Sequence, residues 1–156
     1  MSARRPAASV LDRLLDFAPD RPADDPIGAT QAVREARASV RRDLEVLLNT
    51  QHRTDLPVAA LPQLASSLLR FGTPGFHGLM LATREQQGRL AREIRRLIEA
   101  FEPRLADVSV ELDGRREAER ALHLKIRARL RHDDGDEAIV FDTRLDPAIR
   151  QFTVEA

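Results

Sequence analysis

The chain has 156 residues, with 25 Lys+Arg matched by 25 Asp+Glu, so its formal net charge is zero. A chain of this length makes one ordinary domain that buries about 70% of the surface its unfolded form exposes. Its 42% hydrophobic and 32% charged residues exclude a fully disordered polypeptide, and the lack of any cysteine excludes disulfides, thiolate metal sites and thiol nucleophiles.

No stretch approaches the roughly 18 consecutive apolar residues of a transmembrane helix. The basic start Met1-Ser2-Ala3-Arg4-Arg5-Pro6 is followed by no apolar run, so a secretory signal is not expected and the expected location is the cytoplasm. Aromatic residues are six Phe with no Trp or Tyr, which argues against a sugar-binding cleft or a base-stacking surface. Lys125 is the single lysine, and every other basic residue is arginine, whose planar fork suits carboxylates at protein interfaces.

In chain order, residues 1–29 read as an N-terminal arm. They hold four of the nine prolines and one apolar cluster, Val10, Leu11, Leu14 and Leu15, behind Ser9 as a helix cap. So short an amphipathic turn is unstable alone, and it docks on this domain or on a partner. Residues 30–156 read as a single domain. Thr30 is placed to cap a helix carrying Val33, Ala36, Val40, Leu44, Leu47 and Leu48 on one stripe up to Asn49. Residues 50–62 read as a loop with Pro57 and Pro62. Leu64 to Phe71 reads as a short helix ended by Gly72, and Gly72 to Gly78 as an irregular loop.

A second long helix is expected from Arg84 to Phe101. Thr83 and Gln86 form a capping box, Leu90, Ile94, Leu97, Ile98 and Phe101 an apolar face, and Glu85–Arg89, Arg89–Glu93 and Arg95–Glu99 are i,i+4 pairs. Pro103 ends it and pushes Glu102 toward an extended backbone. The apolar period then falls to two: Val108, Val110 and Leu112; Leu122 to Leu130; Ile139 to Leu145; and a short run at Phe152 and Val154. Helices followed by hairpin-linked strands predict an α+β fold, N-terminal helices packed on one face of an antiparallel meander of about four strands.

Chemistry is thinly signalled. His52, His77, His123 and His132 fall in no metal-ligand spacing, and the chain has neither a phosphate-binding glycine loop nor a nucleophile elbow, so no metal or cofactor is expected. Glu99 and Glu102 are spaced as a hydrolase carboxylate pair would be, although each also has an arginine within reach. His123, Lys125, Arg127, Arg129 and Arg131 share one strand face. Either this face binds an acidic surface, or acids on the preceding strand neutralise the Lys125 end and leave Arg129 and Arg131 unpaired. Around Pro103 the sequence leaves two readings open: the proline stops the helix and Arg104 satisfies its last carbonyls, or Glu102 and Arg104 form a fixed pair that ties the helix-to-strand junction or faces outward.

Four ordered blocks carry a resemblance: Val10-Leu11-Asp12-Arg13-Leu14-Leu15, Ser39 to Thr50, Phe71-Gly72-Thr73-Pro74-Gly75-Phe76, and Ile98 to Leu105. Together they resemble the TssE family, the small wedge proteins of type VI secretion baseplates, related to contractile phage tail proteins once labelled lysozyme-like. The one departure is Gly75, where the family often has an acidic residue. The resemblance implies a non-enzymatic structural role. Its implied partners are the baseplate subunits TssF, TssG and TssK, the TssB/TssC sheath and a spike hub, with no nucleic acid and no membrane insertion. It assigns partner contacts to Glu102, Pro103 and Arg104. A sheet edge, the Arg129–Arg131 end of the basic strand and the arm residues Val10, Leu11, Leu14 and Leu15 are further candidate contacts. Two other classes stay open: an anti-adaptor that blocks proteolytic delivery, and a peptidoglycan hydrolase dependent on Glu102.

Overall fold

A computed structural model describes residues 12, 14, 20, 28–52, 63, 67–74, 83–113, 121–132, 135–146 and 148–155. Two long helices, α1 (Ala29–Asn49) and α2 (Arg84–Phe101), lie against one face of a four-stranded antiparallel sheet. Its strands β3 (Leu105–Leu112), β4 (Leu122–Leu130), β5 (Glu137–Asp146) and β6 (Gln151–Glu155) follow one another in space as in sequence. The α+β meander expected from the change of apolar period is the observed fold.

The reason lies in the two matched periodicities. Along α1, Val40, Leu44, Leu47 and Leu48 are buried, and along α2, Leu90, Ala91, Ile94, Leu97 and Ile98. Strands β4 and β5 alternate buried and exposed residues, delivering Leu124, Ile126, Ala128 and Leu130, then Ile139, Phe141 and Leu145, to the same core. Phe152 and Val154 complete it from β6. Among the described residues the hydroxyl of Thr143, a residue only 2% exposed, enters this layer without a hydrogen-bond partner.

Helix α2 begins with the expected capping box. Gln86 N–H donates to the Thr83 hydroxyl at 3.2 Å, and Thr83 N–H donates to Gln86 Oε1 at 3.1 Å. Two of its expected surface pairs form, Glu85–Arg89 at 2.7 Å and Arg95–Glu99 at 2.8 Å, whereas Glu93 lies 3.8 Å from Arg96 rather than on Arg89. The start of α1 differs from expectation. Gly28 is the N-cap and makes no side-chain cap bond, so Thr30 lies inside the first turn.

The segment between the helices departs further. Within the described part of the expected Leu64–Phe71 helix there is only a single 3₁₀ turn, Leu68–Arg70, and Phe71 is extended. Leu68 and Leu69 are exposed, so no apolar face holds a longer helix there. The flanking stretches expected as loops instead pair in parallel as β1 (Gln51–His52) and β2 (Thr73–Pro74). Thr73 N–H donates to the Thr50 carbonyl at 2.8 Å. Gly72 permits this approach: its φ is +98°, and a Cβ there would overlap the Thr50 carbonyl oxygen. Phe71 then meets Phe101 edge to face, with ring centroids 5.5 Å apart.

The two sheet edges are treated differently. Asn49, the last residue of α1, bonds β6 as a neighbouring strand would. Its amide donates to the Phe152 carbonyl at 2.9 Å and its oxygen accepts from Phe152 N–H at 2.8 Å. Arg41 Nη1 donates to the Val154 carbonyl at 3.2 Å. At the opposite edge, β3 has β4 on one side and, among the described residues, no strand on the other.

A buried charged junction as the candidate functional site

The turn between α2 and β3 is built by three consecutive residues. Glu102 caps α2, its N–H donating to the Ile98 carbonyl at 2.8 Å, and Pro103 fixes it outside the helical region at φ −121°, ψ 78°. Leu105 N–H then donates back to the Glu102 carbonyl at 3.1 Å, and the Arg104 carbonyl accepts from Arg131 N–H at 2.8 Å, which starts the β3–β4 ladder. Pro103 is exposed, but Glu102 is 5% exposed and Arg104 8%. Of the two arrangements left open by the sequence, the structure shows the one in which the pair ties the junction.

The Arg104 guanidinium is the hub. Nε donates to Glu102 Oε1 at 2.7 Å and Nη2 to Glu102 Oε2 at 2.6 Å, a bidentate charge-assisted pair. The same Nη2 reaches Asp43 Oδ2 at 2.6 Å, and Nη1 donates to the Ser39 hydroxyl at 2.8 Å. Ser39 and Asp43 stand one turn apart on α1, so one side chain from the junction clamps the first helix to the start of the sheet. Ser39 in turn donates its hydroxyl proton to Asp12, which also accepts from Arg42 Nη2 and lies 3.9 Å from Arg104 Nη1. Arg42 Nε is 3.5 Å from Asp43 Oδ1.

Burial pushes the Arg104 pKa down, but the hydrogen bonds and charges of Glu102 and Asp43 outweigh it and hold the group above its ordinary value. Arg42 is also raised, first by its hydrogen bond to Asp12. Both carboxylate oxygens of Glu102 are therefore committed to a permanent cation. A general acid must release a proton and leave an oxygen free for substrate, and Glu102 is instead a fixed counter-ion. Glu99 is exposed on Arg95 and forms no catalytic pair with it. Among the described residues no cluster of His, Asp or Glu is arranged to hold a metal.

The basic strand face is also neutralised, though not as the sequence suggested. The register places Glu111 opposite Lys125, yet Glu111 pairs with Arg127, and Lys125 takes Asp142 of β5 at 3.5 Å. Arg129, expected to be unpaired, is held by Asp107 and by Asp136, the latter at 3.5 Å. The cause is a β-bulge: between Ala106 and Ser109 the ladder shifts, Asp107 adopts φ +49°, and its carboxylate swings onto Arg129. Arg131 is exposed and makes no ion pair with the described residues. His123, expected at the surface, is only 9% exposed. Of the arm residues, Leu14 is 77% exposed, while Val10, Leu11 and Leu15 lie outside the described residues.

Sequence reasoning passed over Ser39, Asp43, Arg42 and Asp12. The available signal was Ser39 and Asp43 at i,i+4 beside Val40 and Leu44, a polar notch on the flank of an otherwise apolar stripe.

These features define a structural module, in which buried charges hold elements at a fixed angle. The model of the family described as baseplate wedge protein gp25 matches residues 34–135, well over half of the chain and including most of α1, all of α2, the junction, β3 and β4. The chain belongs to that family, in agreement with its resemblance to the TssE wedge proteins of type VI secretion, and its role is a non-enzymatic, structural one in a baseplate. No curated protein matches the chain. No helix among the described residues is long and apolar enough to cross a membrane.

Proposed function

We propose that this chain is the wedge subunit that joins TssF, TssG and TssK in the cytoplasmic, membrane-docked baseplate of a type VI secretion system. There it anchors the first ring of the TssB/TssC sheath by accepting an extended arm at the β3 edge. The observation that carries the choice of edge is the unequal treatment of β3 and β6. At β6 the outward carbonyls of Phe152 and Val154 and the N–H of Phe152 are already bonded by Asn49 and Arg41. At β3 the bond from Asp113 N–H to the His123 carbonyl sets the alternation, which leaves the N–H groups of Val110 and Leu112 on the outer side. An open row of backbone donors and acceptors is a template for strand addition.

The arm supports the reading from the other end of the chain. Asp12 is bonded to the domain, and Leu14, two residues on, displays an apolar side chain to solvent. The arm and the domain of residues 30–156 then have separate tasks, the first docking on TssF/TssG and the second meeting the sheath. Glu102 and Arg104 serve the partner interface by fixing the angle between α1 and the sheet, with exposed Pro103 at its surface and, on the adjoining strand end, exposed Arg131, which makes no ion pair with the described residues.

Two measurements test this. Co-expression with the cognate TssF and TssG followed by size-exclusion chromatography should give a co-eluting complex that loses this chain on Leu14→Asp; elution as a lone monomer argues for the anti-adaptor class. In cells, Val110→Pro should abolish sheath polymerisation while Val110→Ala, which removes the same packing but keeps the N–H, should not. Normal sheaths with Val110→Pro would rule out the β3 edge.

A further inference from the structure

We propose that Ser39, Arg42 and Arg104 form a carboxylate-binding subsite whose occupant is Asp12 of the same chain, and that this contact is a releasable latch for the N-terminal segment. The inference is independent of the baseplate reading, since it concerns the isolated chain. The donor set is that of a carboxylate receptor: one guanidinium bonded directly to Asp12, a hydroxyl donating to it, and a second guanidinium 3.9 Å away.

Charge balance makes the latch releasable. Without Asp12 the cluster already pairs Arg42 and Arg104 with Asp43 and Glu102, two cations with two carboxylates. Withdrawal of Asp12 therefore leaves no buried charge without a counter-ion, which is the situation that makes broken internal ion pairs so costly. Exposure of the cations grades the same way. The Arg104 and Glu102 side chains are 8% and 7% exposed, whereas Arg42 is 36% exposed, with the carboxylates of Asp12 and Asp43 between them at 23% and 21%. Water reaches the Arg42–Asp12 contact but not the Arg104–Glu102 pair, so salt weakens the first far more than the second.

The cysteine-free chain allows a direct test, because Leu14→Cys creates a unique, exposed attachment point for a nitroxide. In the full-length chain the label should show one slow component. Adding Asp12→Asn should raise the mobile fraction about tenfold to a hundredfold, the range for losing charge-assisted hydrogen bonds. Arg42→Gln should do the same, the double variant should add nothing further, and Asp12→Glu should restore the slow component. The thermal midpoint should fall by no more than about 4 °C with Asp12→Asn. A label as immobile with Asp12→Asn as without it would overturn the latch. So would a loss of thermal stability matching that of Arg104→Met, which would make Asp12 part of the hub.

Discussion

Arg104 shows how a single side chain acquires a structural role from its partners. Its cost and its necessity have the same origin: burying a guanidinium is unfavourable, and once buried it cannot be removed without stranding Glu102 and leaving Asp43 only its 3.5 Å contact with Arg42. Arg104→Met should therefore destabilise the chain by about 3–5 kcal/mol in urea unfolding. Arg104→Lys should recover only part of this, because an ammonium cannot make the bidentate contact. The pH response follows from the direction of the shift. A pKa raised above its unfolded value contributes stability that is complete below that unfolded value and is lost only as pH climbs through the higher folded one. The stability gap between the parent and Arg104→Met should accordingly stay level from about pH 7 to 10. Thr143 offers the opposite experiment. Its buried hydroxyl has no partner, so Thr143→Val should raise stability by about 1 kcal/mol, within the range for an unsatisfied buried group.

Among the elements, the connection after α1 depends most on one residue. Gly72 combines a positive φ with contact against the Thr50 carbonyl, and that contact allows β2 to lie beside β1. Gly72→Ala should cost at least about 1–3 kcal/mol, read as a lowered unfolding midpoint, because the new methyl group meets backbone rather than a movable side chain. Asn49 acts at the other end of the same connection. Replacing it with Ala should uncover two backbone groups of Phe152, and analytical ultracentrifugation should then show concentration-dependent self-association through β6. Conserving the helix with Asn49→Gln would not restore the seal, since the longer amide no longer matches the spacing of Phe152 N–H and carbonyl.

For the whole molecule, the layered arrangement predicts a gradient of opening. The central strands β4 and β5 are paired on both sides and covered by α1 and α2, whereas β1 and β2 are two-residue strands at the periphery. Hydrogen exchange should be slowest in β4 and β5, approaching the global unfolding free energy, and fastest at β1 and β2. Three of the cations on the outer face of the sheet are already paired. Lys125, Arg127 and Arg129 are each matched by a carboxylate, so binding to double-stranded DNA should be absent in a mobility-shift assay at about physiological salt.

Much of this architecture was legible in the sequence because it rests on periodicity. The α2 boundaries, its capping box and the four strands follow from apolar spacing and local turn chemistry, which are properties of neighbouring residues. The described end of the Leu64–Phe71 segment, Leu68–Arg70, is a 3₁₀ turn rather than the expected helix, because a run of leucines has the same appearance whether or not a core is there to receive it. Arg129 was misjudged because a one-residue bulge at Asp107 changes which acid faces which base, and a bulge has no sequence mark of its own. The Glu102-Pro103-Arg104 turn could be located in the sequence, but not the direction in which its charges point. That direction was decided only when Ser39 and Asp43, more than sixty positions earlier, were brought alongside Arg104. The sequence by itself determined the two long helices, the four strands of the main sheet and their order, since these depend on local spacing. The tertiary structure alone decided that the junction is a clamp, that β6 is sealed while β3 has no further strand beside it among the described residues, and that Asp12 returns to the first helix, because each depends on groups distant in sequence and adjacent in space.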